Sequence, residues 1–339
     1  PKTNVIEEIS PSIVIYIDRN EEGKLVQTAL IPSSSEESIK YLTTDVDIMK
    51  EARNNFSRKF YRAMKSGQMR IVMISKQIAE TGIFPIMNTL VLDREIGGRV
   101  FIAIVDGNFL HYIKHHFTAK LDLPLEMYLY KMFAHYERHG EYTTTNLHQF
   151  LESFYSPYAD PVIPLFKAEH ETLSYYGTAL LQGDRMVAYI NELEDVFYQL
   201  LKQRSAIQKV TPLPDLQLSI GALTSKSHIS ISSDQTVHIK LHLRGRIEEY
   251  QGDYNLMVYE EAEALREKIE SYFEENLEHF IAKLQKLDVD PLRIGERTLT
   301  IGKRTYTEKQ WREQWKNAPT KVEVEFFFDS HGVQRIMIQ

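Results

Sequence analysis

Cysteine is absent from this 339-residue chain. Its absence excludes disulfides, thiolate zinc sites and cysteine nucleophiles within the chain, and it leaves the compartment open. No run of about eighteen apolar residues occurs, so no segment reads as a membrane-spanning helix. A basic excess is missing too. The net charge of −7 and an isoelectric point near 6.0 argue against a nucleic-acid partner. Nucleotide motifs are also absent. There is no Gly-x-x-x-x-Gly-Lys-Ser/Thr stretch, and Ser75-Lys76-Gln77 follows an apolar run without the glycines that let backbone amides approach phosphates. No Gly-x-Ser-x-Gly nucleophile elbow appears.

What is present describes a globular protein, with 43% hydrophobic and 26% charged residues. The length exceeds one ordinary core, so two or three domains are expected. The start at Pro1, without Met and followed by Lys2-Thr3-Asn4, predicts a processed or truncated N-terminus.

Period and punctuation give the elements. Ile13–Ile17 and Leu25–Ile31 bracket a glycine-containing turn and predict a hairpin, followed by a polar loop from Pro32. Met49, Ala52, Phe56, Phe60 and Met64 predict a helix that Gly67 stops. Ile71–Ile74 predicts a buried strand, 77–92 a helix kinked near Gly82 and Pro85, Val100–Val105 a strand, and Phe109–Phe117 a helix. This alternation predicts an α/β domain with parallel strands. Residues 121–156 read as helical and aromatic-rich, and Pro157, Pro161 and Pro164 read as an irregular linker. Thr178–Leu181 and Met186–Ile190 flank Gln182-Gly183-Asp184-Arg185, a second hairpin, in which Gly183 or Asp184 takes positive φ. Asn191 with Glu194 forms a capping box for the next helix. Val237, Ile239, Leu241 and Leu243 alternate with polar residues as a half-buried strand. Ala262 to Leu287 carry a long helical stripe, a helix near 308–316 places Trp311 and Trp315 one turn apart, and Val322–Phe328 closes the chain as a strand. Phe327 makes the second face of that strand apolar, which predicts a central strand or one covered on both sides. The fold class is therefore mixed α/β in three domains: residues 1–170, a small hairpin–helix domain at 171–225, and 226–339 with an antiparallel sheet backed by a long amphipathic helix.

Candidate chemistry is sparse. His111/His115 and His135/His139 have the i, i+4 spacing of paired metal ligands, yet tyrosines hold the adjacent positions where a hydrolytic site wants Glu. Core-edge or surface histidines are the competing reading. The acidic pairs Asp45/Asp47 and Asp288/Asp290 read as helix N-terminal or loop carboxylates. Two basic helix faces, Arg58, Arg62 and Lys65, and Lys309, Arg312 and Lys316, suit anionic headgroups or an acidic partner, or are solvated helix backs. Phe150, Phe154, Tyr155, Tyr158 and Phe166 form either a partner-binding patch or core and linker packing. Phe154, Tyr155, Tyr158 and the two basic faces are the candidate interaction residues. No catalytic, cofactor-binding or metal residue is assigned, and the chemistry alone reads as a binding or scaffold protein.

Tyr176-Gly177-Thr178-Ala179-Leu180, Asp184-Arg185-Met186-Val187 and Asn191 together resemble the signature hairpin of the spore germinant receptor C subunits, lipoproteins of spore-forming bacilli and clostridia. Other similar segments follow in family order. They are Gly67–Ile74 with Ala79–Ile83, Leu92-Asp93-Arg94-Glu95-Ile96, Tyr155-Ser156-Pro157 with Pro161, Asp288 to Gly295, Trp311 and Trp315, and the strand from Val322 up to Gly332. The chain departs from the pattern at Gln68, Leu92 and Ala188, where many members have His, Arg and Gly. The resemblance implies a non-enzymatic subunit of a nutrient receptor in the spore inner membrane. It would be anchored through a lipidated N-terminal Cys upstream of this sequence and partnered by two integral membrane subunits, A and B. It also implies three domains, the last with an antiparallel sheet. Two other classes stay open: a solute-binding protein with a cleft between lobes, and a metal-dependent hydrolase using the histidine pairs.

Overall fold

The computed structural model describes residues 12–31, 40–46, 68–92, 96–118, 123–299 and 307–329. The helix expected from Asp47 up to Gly67, with Arg58, Arg62 and Lys65, lies outside them. Two compact units form: residues 1–135, 144–155 and 161–190, and residues 136–143, 156–160 and 191–339.

The first unit opens with a hairpin, β1 (Ser12–Arg19) and β2 (Leu25–Ile31), and β3 (Lys40–Val46) extends it. Then come β4 (Gln68–Ser75), α1 (Lys76–Thr81), α2 (Phe84–Leu92), β5 (Phe101–Gly107), α3 (Phe109–Thr118), α4 (Leu125–His139), β6 (Thr145–Asn146) and α5 (Leu147–Tyr155). The unit closes with β7 (Val162–Glu169), β8 (Thr172–Gln182) and β9 (Arg185–Ile190). The sheet runs β3-β2-β1-β4-β5-β7-β8-β9, with β6 pairing one end of β5. β1, β4, β5 and β7 are mutually parallel, as the alternating pattern implied. Burial on both faces explains why β4 and β5 are apolar without alternation. On one face Ile15, Val72, Ile74, Ile102 and Ile104 pack with Ile78 of α1, Ile83 between the helices, Met87 of α2 and Phe150 of α5. On the other, Tyr16 meets Phe109 edge-on, and Phe133 of α4 packs between Phe101 and Phe166.

Two sequence expectations change here. Gly140, at φ +60°, ends α4, so 121–156 is two helices around a short strand, not one helical stretch. The expected proline linker is largely a strand, β7, with Pro164 inside it. Pro164 is tolerated because the ladder between β7 and β5 begins one residue later, at Leu165 opposite Ile104, so the missing N–H falls where that ladder is absent.

The second unit contains α6 (Glu192–Leu201), β10 (Arg204–Ile207), β11 (Thr211–Leu213), a 3₁₀ turn at Pro214–Leu216, β12 (Leu218–Ile231), β13 (Val237–Tyr250), α7 (Tyr259–Lys286), α8 (Ile294–Leu299), α9 (Glu308–Asn317) and β14 (Thr320–Phe328). Its sheet runs β10-β12-β13-β14, with β11 also on β12. The stripe of α7, from Leu265 through Ile269, Phe273, Leu277 and Phe280 to Leu284, is buried, as are Ile239, Leu241, Leu243, Val324 and Phe326 of the sheet. Residues 171–225 are thus shared: the hairpin extends the first sheet, whereas α6 and the strands after it belong to the second unit. A lone hairpin buries too little apolar surface to be stable by itself.

β14 also departs from expectation. It pairs parallel to β13, the one exception in an otherwise antiparallel sheet, and it is an edge strand with Phe327 exposed. A bare edge invites pairing with other chains. Here the backbone N–H groups of Val322, Val324 and Phe326 donate to Glu278, Glu274 and Glu270 of α7 at 3.0, 3.0 and 2.8 Å. Four helical residues rise about 6 Å and two strand residues rise about 6.6 Å, so an i, i+4, i+8 glutamate row matches alternate amides of a strand.

Candidate functional site

The polar residues at the family-like segments serve as fasteners between distant parts of the chain. The first lies in the signature hairpin. Gln182 pairs with Arg185, so the turn is Gly183-Asp184, with Gly183 at φ +62°. The Asp184 carboxylate accepts the Phe84 N–H at 3.0 Å, and the Asp184 carbonyl accepts the Ile83 N–H at 3.0 Å. The turn therefore caps the N-terminus of α2, a helix without an acidic residue in its own first turn. Asn191 and Glu194 form the expected capping box on α6, and Lys283 of α7 holds the Glu194 carboxylate at 2.8 Å.

The second fastener is the most polar place in the core of the second unit. It joins the 156–160 segment, the loop after α7, and α9. The Asp160 N–H donates to the Asp290 carbonyl at 3.1 Å, and the Asp290 N–H donates to the Asp160 carboxylate at 2.7 Å. Arg312 of α9 grips both oxygens of the same carboxylate, the Nη2–Oδ1 bond measuring 3.0 Å. Asp160 is 1% exposed and Arg312 21%. The Asp290 carboxylate, fully buried, accepts the Ile294 and Gly295 N–H groups at the start of α8, each at 3.0 Å. Burial pushes the Asp290 carboxyl up to about 7; Asp160 beside it acts in the same direction, and the two N–H donors and Arg312 oppose it.

Around this triad the chain is closely packed. A Cβ on Gly295 would come within 2.7 Å of the Trp311 ring and 2.8 Å of Tyr158, so glycine is required there. Trp311 and Trp315 stack one turn apart, both fully buried, and the Trp315 indole N–H donates to the Val289 carbonyl at 2.8 Å. Arg297 of α8 reaches the Leu201 carbonyl at 2.8 Å and Ser227, and Ser225 and Ser227 bond the carbonyls of Leu200, Leu201 and Lys202. The orphan carbonyls at the end of α6 are met in this way.

The sequence-predicted residues separate. On α9, Lys309 is exposed, Lys316 pairs with Asp288 at 3.0 Å while 50% exposed, and Arg312 is turned inward onto Asp160. These three thus do not present a common basic face. Phe154 packs on Phe84 and Phe150 at the edge of the first core; Tyr155 is 65% exposed, and Tyr158 lies in the second unit against Gly295. Phe150 and Phe166 are core residues. His115 sits 3.6 Å from Glu171, His111 is exposed, and His139 bonds Gln208. Among the described residues no three His, Asp or Glu side chains are grouped to hold a metal ion. Asp290 is a buried structural carboxylate rather than a loop residue in water, and Asp288, at φ +57°, ends α7. Sequence reasoning missed Asp160 as well. The available signal was the repeated Asp-Pro step, Asp160-Pro161 and Asp290-Pro291, which marks two restricted turns. A cleft of about 640 Å³ lies along α7, lined by Asp215, Tyr254, Lys268 and Tyr272 among others.

Fold and fasteners define a two-unit α+β protein whose long-range polar contacts join segments more than a hundred residues apart. The chain belongs to the family of spore germinant receptor C subunits, and its role is in spore germination. Residues 2–168 match the family described as spore germination protein N-terminal domain, and residues 176–332 match the one described as spore germination B3/GerAC like, C-terminal. The spore germination protein GerQC of Bacillus cereus is 22% identical over 343 residues, an alignment covering 98% of this chain and 94% of that protein. The crystal structure of the GerBC protein shares the fold, with a TM-score of 0.55 and 14% identity over 93% of this chain and 97% of that one.

Proposed function

We propose that this chain is the non-enzymatic, lipid-anchored C subunit of a nutrient germinant receptor in the spore inner membrane. Its integral membrane A and B subunits are the partners, and it supports or transmits the germinant signal. The observation that carries this reading is the match to both family domains, over residues 2–168 and 176–332. The motif residues Asp184 and Asp290, with Asp160 and Arg312 beside them, have backbone or ion-pair partners within the fold. The test uses the full-length gene in its own spores. An epitope-tagged subunit is expected in the inner-membrane fraction, co-purifying with A and B, and lost from it when the Cys of an upstream lipobox is replaced by Ala. Recovery in the soluble fraction, without A or B and with unaltered nutrient germination on deletion, defeats the proposal.

A further inference from the structure

The chain is acidic overall, at −7, yet one broad face of its second sheet is cationic. The outward side chains of β10, β12 and β13 include Arg204, Lys226, Lys240 and Arg244, all exposed. The outward side chains of edge strand β14 include Glu323 and Glu325. Register arranges these charges in rows. Arg204 lies directly opposite Lys226, Lys226 opposite His242, and His242 opposite Glu325. The next row sets His228 opposite Lys240 and Lys240 opposite Glu323. Arg204 and Lys226 are thereby like charges directly across two antiparallel strands, which destabilises a sheet, and Lys240 and Arg244 add to the positive field.

Only the β14 margin offsets this, through Lys240–Glu323 at 3.8 Å and His242–Glu325 at 2.8 Å. Arg204, Lys226 and Arg244 make no ion pair among the described residues. The core does not require them, because the inward residues Leu223, Ile229, Ile239, Leu241 and Leu243 build it. Solvation requires polar side chains on this face but no cations in register.

We propose that this sheet face docks an acidic segment of a polypeptide partner, with carboxylates over Arg204, Lys226 and Arg244 and the β14 glutamates fixing the direction of approach. Two features favour a polypeptide over an anionic bilayer. Along β14 the outward Glu323 and Glu325 outnumber Lys321, so a uniformly negative surface meets a net like charge there. The sheet also twists by about 20–25° per strand, which keeps its outer strands out of one plane. Charge placement alone favours this docking, whichever receptor the chain serves.

The test uses the full chain at low salt with two probes, an oligoglutamate peptide and phosphatidylglycerol vesicles. The peptide is expected to bind and to be released by salt. The double variant Lys226→Ser/Arg244→Ser should bind about tenfold more weakly, as loss of two exposed charge contacts implies. Lys309→Ser, an exposed cation elsewhere, should bind like the parent. The free double variant should melt no lower than the parent, because Lys226→Ser relieves repulsion by Arg204, and Arg244, opposite Thr224 and Phe327, has no acidic partner to lose. Unchanged peptide binding in the double variant overturns the proposal, and so does a lower melting temperature, which would give these cations to the fold. Vesicle binding that exceeds peptide binding and is abolished in the double variant overturns it in favour of a membrane face.

Discussion

Replacing Arg312 by Met should be far more costly than its place among three basic residues on one helix suggests. The substitution keeps an unbranched apolar stem and removes the charge and the donors. Asp160 then remains 1% exposed with the Asp290 N–H, at 2.7 Å, still donating to its carboxylate. Breaking a buried ion pair from one side costs about 3–5 kcal/mol, because an uncompensated charge stays behind. Arg312 is 21% exposed, so water can approach the vacated end and the lower value, about 3 kcal/mol, is expected. At about 2–4 °C per kcal/mol for a unit of this size, the midpoint should fall by roughly 6–12 °C. The same change at Lys309 should cost almost nothing, and at Lys316, half exposed beside Asp288, at most about 1 kcal/mol. The assay is thermal and urea unfolding, each followed by tryptophan fluorescence. The chain has two Trp, both buried on α9, so the signal reports on the second unit alone. Adding Asp160→Asn to Arg312→Met should recover part of the loss by neutralising the stranded carboxylate. An Arg312→Met cost within about 1 kcal/mol of the Lys309→Met cost would refute the buried-lock reasoning.

Asp290 supplies a pH signature. Its folded value of about 7 lies above the unfolded carboxylate value of about 3.9, so the folded state holds the extra proton between them. Its contribution should therefore be fully present below about pH 3.9, be lost progressively as pH rises from there through about 7, and level off above that. Unfolding free energies of Asp290→Asn should lose that slope, and a slope equal to the parent's would assign the titration to another group. Glu274→Ala, which strands the Val324 N–H, should cost about 1–3 kcal/mol, and Glu274→Gln, which keeps an acceptor, clearly less; equal losses in urea titration would show that the charge matters and not the bond. Asp184→Ala should lower first-unit stability by about 1 kcal/mol through the lost α2 cap, seen as faster amide exchange at Phe84 and Ile83. Gly295→Ala should disturb the Trp311 emission, because the added methyl has no room.

Local order was legible wherever it depends on neighbours in sequence. Both hairpins, the Asn191–Glu194 box, the alternation of β13 and the stripe of α7 are written in period and turn chemistry, and they form as read. The in-order family-like segments likewise led to the family. Tertiary structure decided what those segments touch. β14 reads as a strand, but only its neighbours make it an edge, parallel to β13 and closed by glutamates spaced one turn apart on α7. Arg312, Lys309 and Lys316 share a helix face in sequence, yet Asp160, 152 residues upstream, turns one of them into a buried partner. Local pattern reflects backbone and side-chain preferences over a few residues. A buried charge is set by groups that the chain brings together from far apart, and a single sequence does not display that distance.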